Sequence, residues 1–415
     1  MPLNSENLEK TMQKAVLAAA DIGEYDMEKS LNELEELAFS AGAQVLARAV
    51  QKRQSFDSAT CLGEGRLREL KDFCLTNDVD LIIFDHELTG SQIRNIENIT
   101  DVHVIDRTSL ILDIFAQRAK SREGVLQVHL AQLKYRLPRL SGFGTELSRL
   151  GGGIGTRGPG ETKLETDRRH IRRQIAALEE ELRELTRRRE NLRERRKKNS
   201  ALVTAIVGYT NVGKSTLLNA LTNAGVLAQD MLFATLDPTA RTLTLPDNRK
   251  IILIDTVGLI SRLPHSLVEA FKSTLEEAAG ADVILNLCDA ADPNMESQLE
   301  ITTELLKELG VHDTPVITVC NKCDMIDLHP SDSRNRVYIS AKTGEGLDRL
   351  LLAVQKNLPE TARRLRLLLP FSQGRLIPMI LQEGSVFSQE YRENGIFVDA
   401  LVNIKIFGEV KDYIL

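Results

Sequence analysis

Residues Gly208–Ser215 read GYTNVGKS, the pattern G-x-x-x-x-G-K-[ST]. The apolar run ALVTAIVG precedes it with the texture of a buried strand, and TLLNAL follows it as a helix. Such a loop constrains its surroundings. The glycines let backbone N–H groups turn toward phosphates, and the N-terminus of the next helix adds positive potential. Gly208, Tyr209, Thr210, Asn211, Val212 and Gly213 would form the cradle, with Thr216 behind it. Lys214 would reach the β- and γ-phosphates, and Ser215 would ligate Mg²⁺. Alone, the pattern also fits a P-loop-like turn with no ligand.

Three further motifs decide between these readings. DTVG (Asp255–Gly258) ends the strand IILI. Asp255 would act on Mg²⁺ through water, Thr256 and Val257 continue the segment, and Gly258 leaves room for a backbone N–H at the γ-phosphate. NKCD (Asn321, Lys322, Cys323, Asp324) ends the strand TPVITVC. The Asp324 carboxylate can accept from N1–H and the exocyclic amine of guanine. Adenine lacks that donor pair, and leaving a buried carboxylate unpaired is costly. The stem of Lys322 can cover the base. SAK (Ser340, Ala341, Lys342) follows the next strand and supplies a backbone contact to the guanine oxygen. Four motifs in this order, each at a strand end, indicate a GTP-binding domain.

The γ-phosphate sensor should lie in LFATLDPTAR, between the cradle and DTVG. Thr235 or Thr239 would supply a second Mg²⁺ ligand; Thr235 is preferred, with Phe233, Ala234, Leu236 and Asp237 around the nucleotide. This loop would order with GTP and relax on hydrolysis. Lys214, Thr235 and Gly258 are the candidate catalytic residues. Leu259 stands where Ras-like proteins carry a water-positioning glutamine, so hydrolysis should be slow unless a partner supplies the missing order. Asn211 has two readings: an amide that shapes the loop, or a group that helps hold K⁺ in place of an arginine finger.

The rest of the 415 residues divides by texture. Residues 1–120 form an expected N-terminal parallel α/β domain, with SLNELEELAFSAG a helix stopped at Gly42 and AQVLARAVQ, DLIIFD and VHVIDR as strands. Residues 121–199 form an expected helical hairpin. Leu126, Leu130, Leu133, Leu137 and Leu140 mark one arm; Leu164, Ile171, Ile175, Leu178, Leu182, Leu185 and Leu192 mark the other, with Arg168 and Arg189 interrupting the seam. The second arm, about 35 residues, would be roughly 50 Å long. Eight glycines crowd Ser141–Gly160 between the arms. Residues 200–358 form an expected Ras-like P-loop GTPase domain, and residues 363–415 a small α/β C-terminal domain. The fold class expected is therefore multidomain α/β.

Net charge is −6, so any nucleic-acid contact must come from a local patch. RRRENLRERRKK (Arg187–Lys198), with eight basic and two acidic residues, is one such patch; a solvated helix face is its other reading. Five scattered cysteines suggest a reducing compartment. Neither a secretory signal nor an apolar run long enough to span a bilayer is present, which suggests the cytoplasm. CNKC (Cys320–Cys323) overlaps the base-reading motif and has no second pair at zinc-finger spacing. The seven histidines form no metal-ligand pattern.

VIDRTSLILDIFAQRA, REGVLQVHLAQLKYRLPRLSG and GGGIGTRGPGETKLETDRR, with the GTPase motifs, together resemble the HflX GTPases. The resemblance runs from about Leu31 to the C-terminus. It implies a cytoplasmic GTPase that binds the ribosome, chiefly its large (50S) subunit and rRNA, and splits or rescues stalled ribosomes under stress. It also implies Mg²⁺ ligation by Ser215 and Thr235, and in some members ATP hydrolysis or action on RNA. Lys163 stands where the family commonly has glutamine. GEGR (Gly63–Arg66) replaces a more basic loop, and Glu64 there would repel a phosphate. A GTP-switched regulatory module and an ATP-driven RNA remodeller are the alternative functions. A monomer is expected.

Overall fold

The computed structural model of the chain describes residues 12–140, 159–198, 201–222, 232–233, 239–260, 262, 267, 278–326, 333, 335–359 and 362–415. Side chains of 159–164, 192–198, 362, 383 and 405 are not part of that description. The glycine-rich stretch between the hairpin arms, residues 141–158, lies outside it.

The first unit contains β1 (Gln13–Asp21), α1 (Met27–Ala41), β2 (Ala43–Lys52), α2 (Glu64–Asn77), β3 (Leu81–Phe84), α3 (Gly90–Thr100), β4 (His103–Asp106) and α4 (Arg107–Arg118). Its sheet has the order β2-β1-β3-β4, with every pair parallel. β1 is buried on both faces, as an interior parallel strand requires. Its side chains alternate: Ala15, Leu17 and Ala19 meet α1 and α4, while Val16, Ala18 and Ala20 meet α2 and α3. Local signals bound the helices. Asp26 caps α1 by accepting from Glu28 N and Lys29 N, and Gly42 ends it at φ +90°.

Helix α5 (Arg122–Arg139) and helix α6 (Pro159–Lys198) form the antiparallel hairpin. At 40 residues, α6 spans roughly 60 Å. Its seam positions Arg168, Ile171, Ile175, Leu178, Leu182, Leu185 and Arg189 are half-buried, and no described side chain of the helix is fully buried. The arginine that interrupts the apolar seam near its end, Arg189, is paired with Glu123 of α5 at 2.8 Å. Lys134–Glu179 at 3.0 Å runs alongside; each such partly exposed pair adds only about 0–1 kcal/mol.

Helix α5 carries two stripes. Leu126, Leu130 and Leu137 are half-buried on the leucine-spaced side. Val128, Ala131 and Tyr135 instead join the apolar cluster of α1 and α4. Tyr135 donates its O–H to the buried carboxylate of Asp106, which also accepts from Leu88 N and Ser109 N. Arg139 reaches Leu88 O at 3.0 Å and Glu87 at 2.9 Å. Gly90 starts α3 so close to the end of α5 that an added carbon would lie 2.5 Å from Arg139 O. The hairpin is thus rooted in the first unit rather than linked to it.

The second sheet is built from β5 (Leu202–Gly208), β6 (Thr239–Thr244), β7 (Lys250–Asp255), β8 (Val283–Asp289), β9 (Val316–Asn321) and β10 (Arg336–Tyr338) in the order β10-β9-β8-β5-β7-β6. Only β6 is antiparallel to its neighbour. Helices α7 (Lys214–Thr222), α8 (Met295–Glu308) and α9 (Leu347–Asn357) accompany it. A third sheet, β11 (Ala362–Leu369), β13 (Gly395–Asn403) and β12 (Ser385–Arg392), is antiparallel, with α10 (Leu376–Glu383) and α11 (Ile404–Val410). Among the described residues, no helix is long and apolar enough to cross a membrane.

The first and second units share one apolar cluster that includes Leu34, Leu110 and Phe115 on one side and Tyr209, Phe233 and Leu259 on the other. Tyr135→Phe removes a charge-assisted hydrogen bond from a buried carboxylate. It is expected to destabilise the protein by roughly 1.5–3 kcal/mol, read as a lower midpoint in chemical unfolding with unchanged helix content.

Candidate functional site

The carboxyl ends of β5, β7, β8 and β9 lie at one edge of the six-stranded sheet, and the sequence motifs follow them. β5 ends at Gly208, with φ +149°. An added carbon there would meet Leu287 O of β8 at 2.3 Å, so the approach of the two strands needs glycine. Asn211 is exposed and left-handed at φ +61°, and Gly213 has φ +92°. These turns carry the chain to Lys214, which opens α7.

Lys214 is buried, and its Nζ donates to Gly208 O at 3.1 Å and Tyr209 O at 2.6 Å. Burial pushes its ammonium down to about 8, against the opposing pull of the Asp255 carboxylate. An anion in the loop would favour the charged form again. Ser215 Oγ donates to Asp255 Oδ2 at 2.8 Å. This joins a hydroxyl and a fully buried carboxylate, an oxygen pair of the kind a small hard cation takes.

The DTVG segment is strapped to the loop. Thr256 Oγ1 donates to Ile206 O at 2.7 Å. Leu259 N donates to Gly208 O at 3.1 Å and Thr210 N to Leu259 O at 2.7 Å. Val257 is buried. Gly258 sits so close that an added carbon would lie 2.6 Å from Thr210 Cγ2 and 3.0 Å from Lys214 Nζ. Leu259 is 5% exposed and lies in the cluster shared with α1 and α4.

At the other end, Asn321 is buried. Its Nδ2 donates to Val212 O at 2.8 Å, and its Oδ1 accepts from Ala341 N at 2.9 Å. One side chain therefore joins the phosphate-loop motif, NKCD and SAK. Lys322 takes φ +63° and pairs with Asp289 at 2.7 Å. Asp324 and Lys342 are exposed, and Ser340 is buried. Cys320 meets Cys288 of the adjacent strand at 3.6 Å, while burial pushes the Cys323 thiol up. Among the described residues, no group of three or more His, Cys, Asp or Glu could hold a metal ion.

Thr235, with Ala234, Leu236 and Asp237, lies outside the described residues. Phe233 is buried at φ +55°, its ring 4.6 Å from that of Phe115 in an edge-to-face contact. Thr239 is built into β6 opposite Asp255. Motif reading missed Asp289, which anchors Lys322, and Arg262, which reaches the first unit; neither partner is signalled by sequence spacing.

Comparison with known proteins agrees with this geometry. Residues 28–116 match a family model described as GTP-binding GTPase N-terminal. Residues 118–196 match one described as GTP-binding GTPase Middle Region, and residues 203–322 one described as 50S ribosome-binding GTPase. The GTPase HflX of Caldanaerobacter subterraneus is 51% identical over 99% of this chain and 96% of that protein. The GTPase HflX of Escherichia coli is 42% identical over 89% and 88%. A solved complex of SsGBP with GDP aligns with TM-score 0.50 and 26% identity over 83% of this chain and 98% of that one. With these relatives spanning nearly its whole length, the chain is a member of the HflX family of GTPases.

Proposed function

We propose that this protein is a GTP-hydrolysing factor of the cytoplasm that binds the large (50S) ribosomal subunit in its GTP state and splits or rescues stalled 70S ribosomes under stress. The observation that carries the reading is the buried Asn321 amide, which joins a phosphate loop to two base-reading segments. In this reading Gly208–Thr216 surround the phosphates, Lys214 neutralises the β- and γ-phosphate oxygens, and the Gly258 N–H meets the γ-phosphate. Asp324 reads guanine, Lys322 covers the base, and Ser340–Lys342 meet the guanine oxygen.

Mg²⁺, held by Ser215 and Thr235 with Asp255 behind them, would stabilise charge on the transferring phosphoryl group. The close contact of Ser215 and Asp255 fits such an ion. The left-handed backbone of Asn211 accounts for asparagine there without a cation, since asparagine adopts that conformation readily. A K⁺ role for Asn211 requires that turnover in KCl exceed turnover in NaCl.

Leu259 has no group to orient water, so chemistry waits for order supplied from outside. The large subunit is the source proposed, reached by the glycine-rich sequence between α5 and α6 and by the basic run Arg187–Lys198 against rRNA phosphates. The protein acts as a monomer in this scheme.

GTP turnover by the purified protein is expected to rise severalfold with large subunits, and the protein should pellet with them in a non-hydrolysable GTP analogue. Neither stimulation nor pelleting would mean that GTP serves a regulatory module with another partner. Asp324→Asn deletes an acceptor of two charge-assisted hydrogen bonds, each worth about 1.5–3 kcal/mol. It should weaken GTP on the order of a hundredfold or more and favour xanthosine triphosphate; retained guanine preference in nucleotide competition would contradict the base assignment. Replacing Gly151–Gly160 by a short Gly-Ser turn should leave GTP binding intact and abolish co-sedimentation with large subunits. Retained co-sedimentation would make the stretch a linker.

A further inference from the structure

The C-terminal unit lies beyond the three matched family segments, the last of which ends at residue 322. Its elements follow the chain as β11, α10, β12, β13 and α11, and its sheet has the order β11-β13-β12. β13 is antiparallel to both neighbours, so β11 and β12 run parallel with α10 as their crossover. The outer edge of β11 takes a bridge from Ile414 to Leu367, where a fourth strand would lie. This is the split βαβ layout, and its helices share one face of the sheet. Leu367, Val398 and Ala400 meet Ile380 of α10 and Ile406 of α11 in one core. Alternation sends Arg364, Arg366, Phe397 and Asp399 to the opposite face.

That face is made of rings and guanidiniums. β12 slips register between Val386 and Ser388, and the extra residue is Phe387. A bulge of this kind re-aims a side chain. Here it brings the Phe387 ring, 39% exposed, to 4.5 Å from the Arg364 guanidinium. Arg364 is itself fixed by Asp399, which accepts from its Nε and Nη2 at 2.9 Å each. A second pair lies alongside: Arg392 covers the Phe397 ring at 4.1 Å from its centre and donates to Glu390 at 2.9 Å. Arg366 stands in register with Asp399. Arg364, Arg366 and Arg392 are all exposed.

Aromatic rings and guanidinium planes are the groups on which unstacked bases lie. Positions 397 and 399 of β13 are roughly 7 Å apart at two residues of strand rise, a step that one extended nucleotide spans. Bases inside a duplex are stacked on each other and offer no free face, so the fit is to a single strand. Three guanidiniums against the carboxylates of Asp399 and Glu390 leave the face positive, as a phosphate backbone requires. A protein partner would be met by an apolar centre depleted of charge, whereas each ring here carries a guanidinium. The exposed Ser388 hydroxyl, in register with Asp399, adds a partner for a ribose 2′-OH. The layout alone implies no ligand; these side chains do.

We propose that the open face of β11-β13-β12 binds single-stranded RNA, with one base stacked on each arginine–phenylalanine pair and Arg366 on the backbone between them. This site is separate from the phosphate loop and from the basic run Arg187–Lys198, and it stands or falls independently of the ribosomal reading above.

The test titrates the full chain, with GDP bound, into a fluorescein-labelled oligouridylate and follows anisotropy. Salt is raised to suppress contacts made by the basic run. Phe387→Ala removes an exposed ring, and Phe397→Leu removes a ring while keeping apolar volume. Each should weaken the RNA about fivefold or more. Arg366→Glu, at an exposed position, should weaken it as much by facing the backbone with a carboxylate. GDP affinity should stay at the wild-type value in all three. Ultraviolet crosslinking should join uridine to peptides from residues 385–403, and oligodeoxyuridylate should bind less tightly than the RNA. No binding of oligouridylate by the wild type, affinity within twofold of wild type in all three variants, crosslinks confined to residues 187–198, or equal affinity for the DNA strand would each overturn the inference.

Discussion

The carboxamide of Asn321 holds the candidate site in register. Val212, Asn321 and Ala341 come from segments 109 and 20 residues apart, and the parallel sheet delivers them to one edge. Once there, a single planar amide satisfies a carbonyl of the phosphate loop and an N–H of the SAK loop. Both of its functions are used inside a buried environment, where a half-satisfied amide would be costly. Its closeness also dictates a neighbour: an added carbon at Gly213 would lie 2.4 Å from Nδ2. The second glycine of the phosphate loop is therefore required by packing against the base-reading strand as well as by its own φ of +92°.

The same logic of shared surfaces explains Leu259. A polar side chain there could serve a water molecule, but the position is 5% exposed and faces an apolar cluster contributed by the N-terminal unit. Burying a polar group without a partner costs on the order of 1–3 kcal/mol, so leucine answers to the domain interface. The P-loop tyrosine is drawn into that interface too. Burial and the Glu33 carboxylate of α1 push the Tyr209 phenol up.

What could be read from the sequence, and what could not, follows from where the information lies. The site motifs are local: each needs a strand end, a glycine or a carboxylate within a few residues, so order and spacing exposed them. The hairpin seam was legible because one partner imposes one period, and even its arginine interruptions at Arg168 and Arg189 kept the register. The second stripe of α5 was hidden because Val128, Ala131 and Tyr135 interleave with the leucines, and a helix with two partners shows no single period. β1 escaped notice because its run AVLAAA carries the residue with the highest helix propensity. Only its place between two layers of helices selects a strand of small side chains. The boundary between β4 and α4 is equally mute in VIDRTSLIL, where the apolar pattern continues and the capping carboxylate of Asp106 makes the break. Asp85 and Arg262 lie 177 residues apart, a distance at which no spacing rule operates.

These long-range contacts join into one path. Tyr135 fastens the hairpin to Asp106. The next residue, Arg107, is 3% exposed and reaches forward to Asp85 and sideways to Glu33 at 2.7 Å. Asp85 in turn holds Arg262. A buried carboxylate shared by two guanidiniums cannot lose one without altering its hold on the other, because the remaining cation alone must then offset the desolvation of the charge. Arg107 is the residue that feels this, and it stands one peptide bond from the group that anchors the hairpin. The GTPase domain and the long helical arm are therefore connected through the charge balance of one buried aspartate, and the N-terminal domain is the body in which that balance is kept.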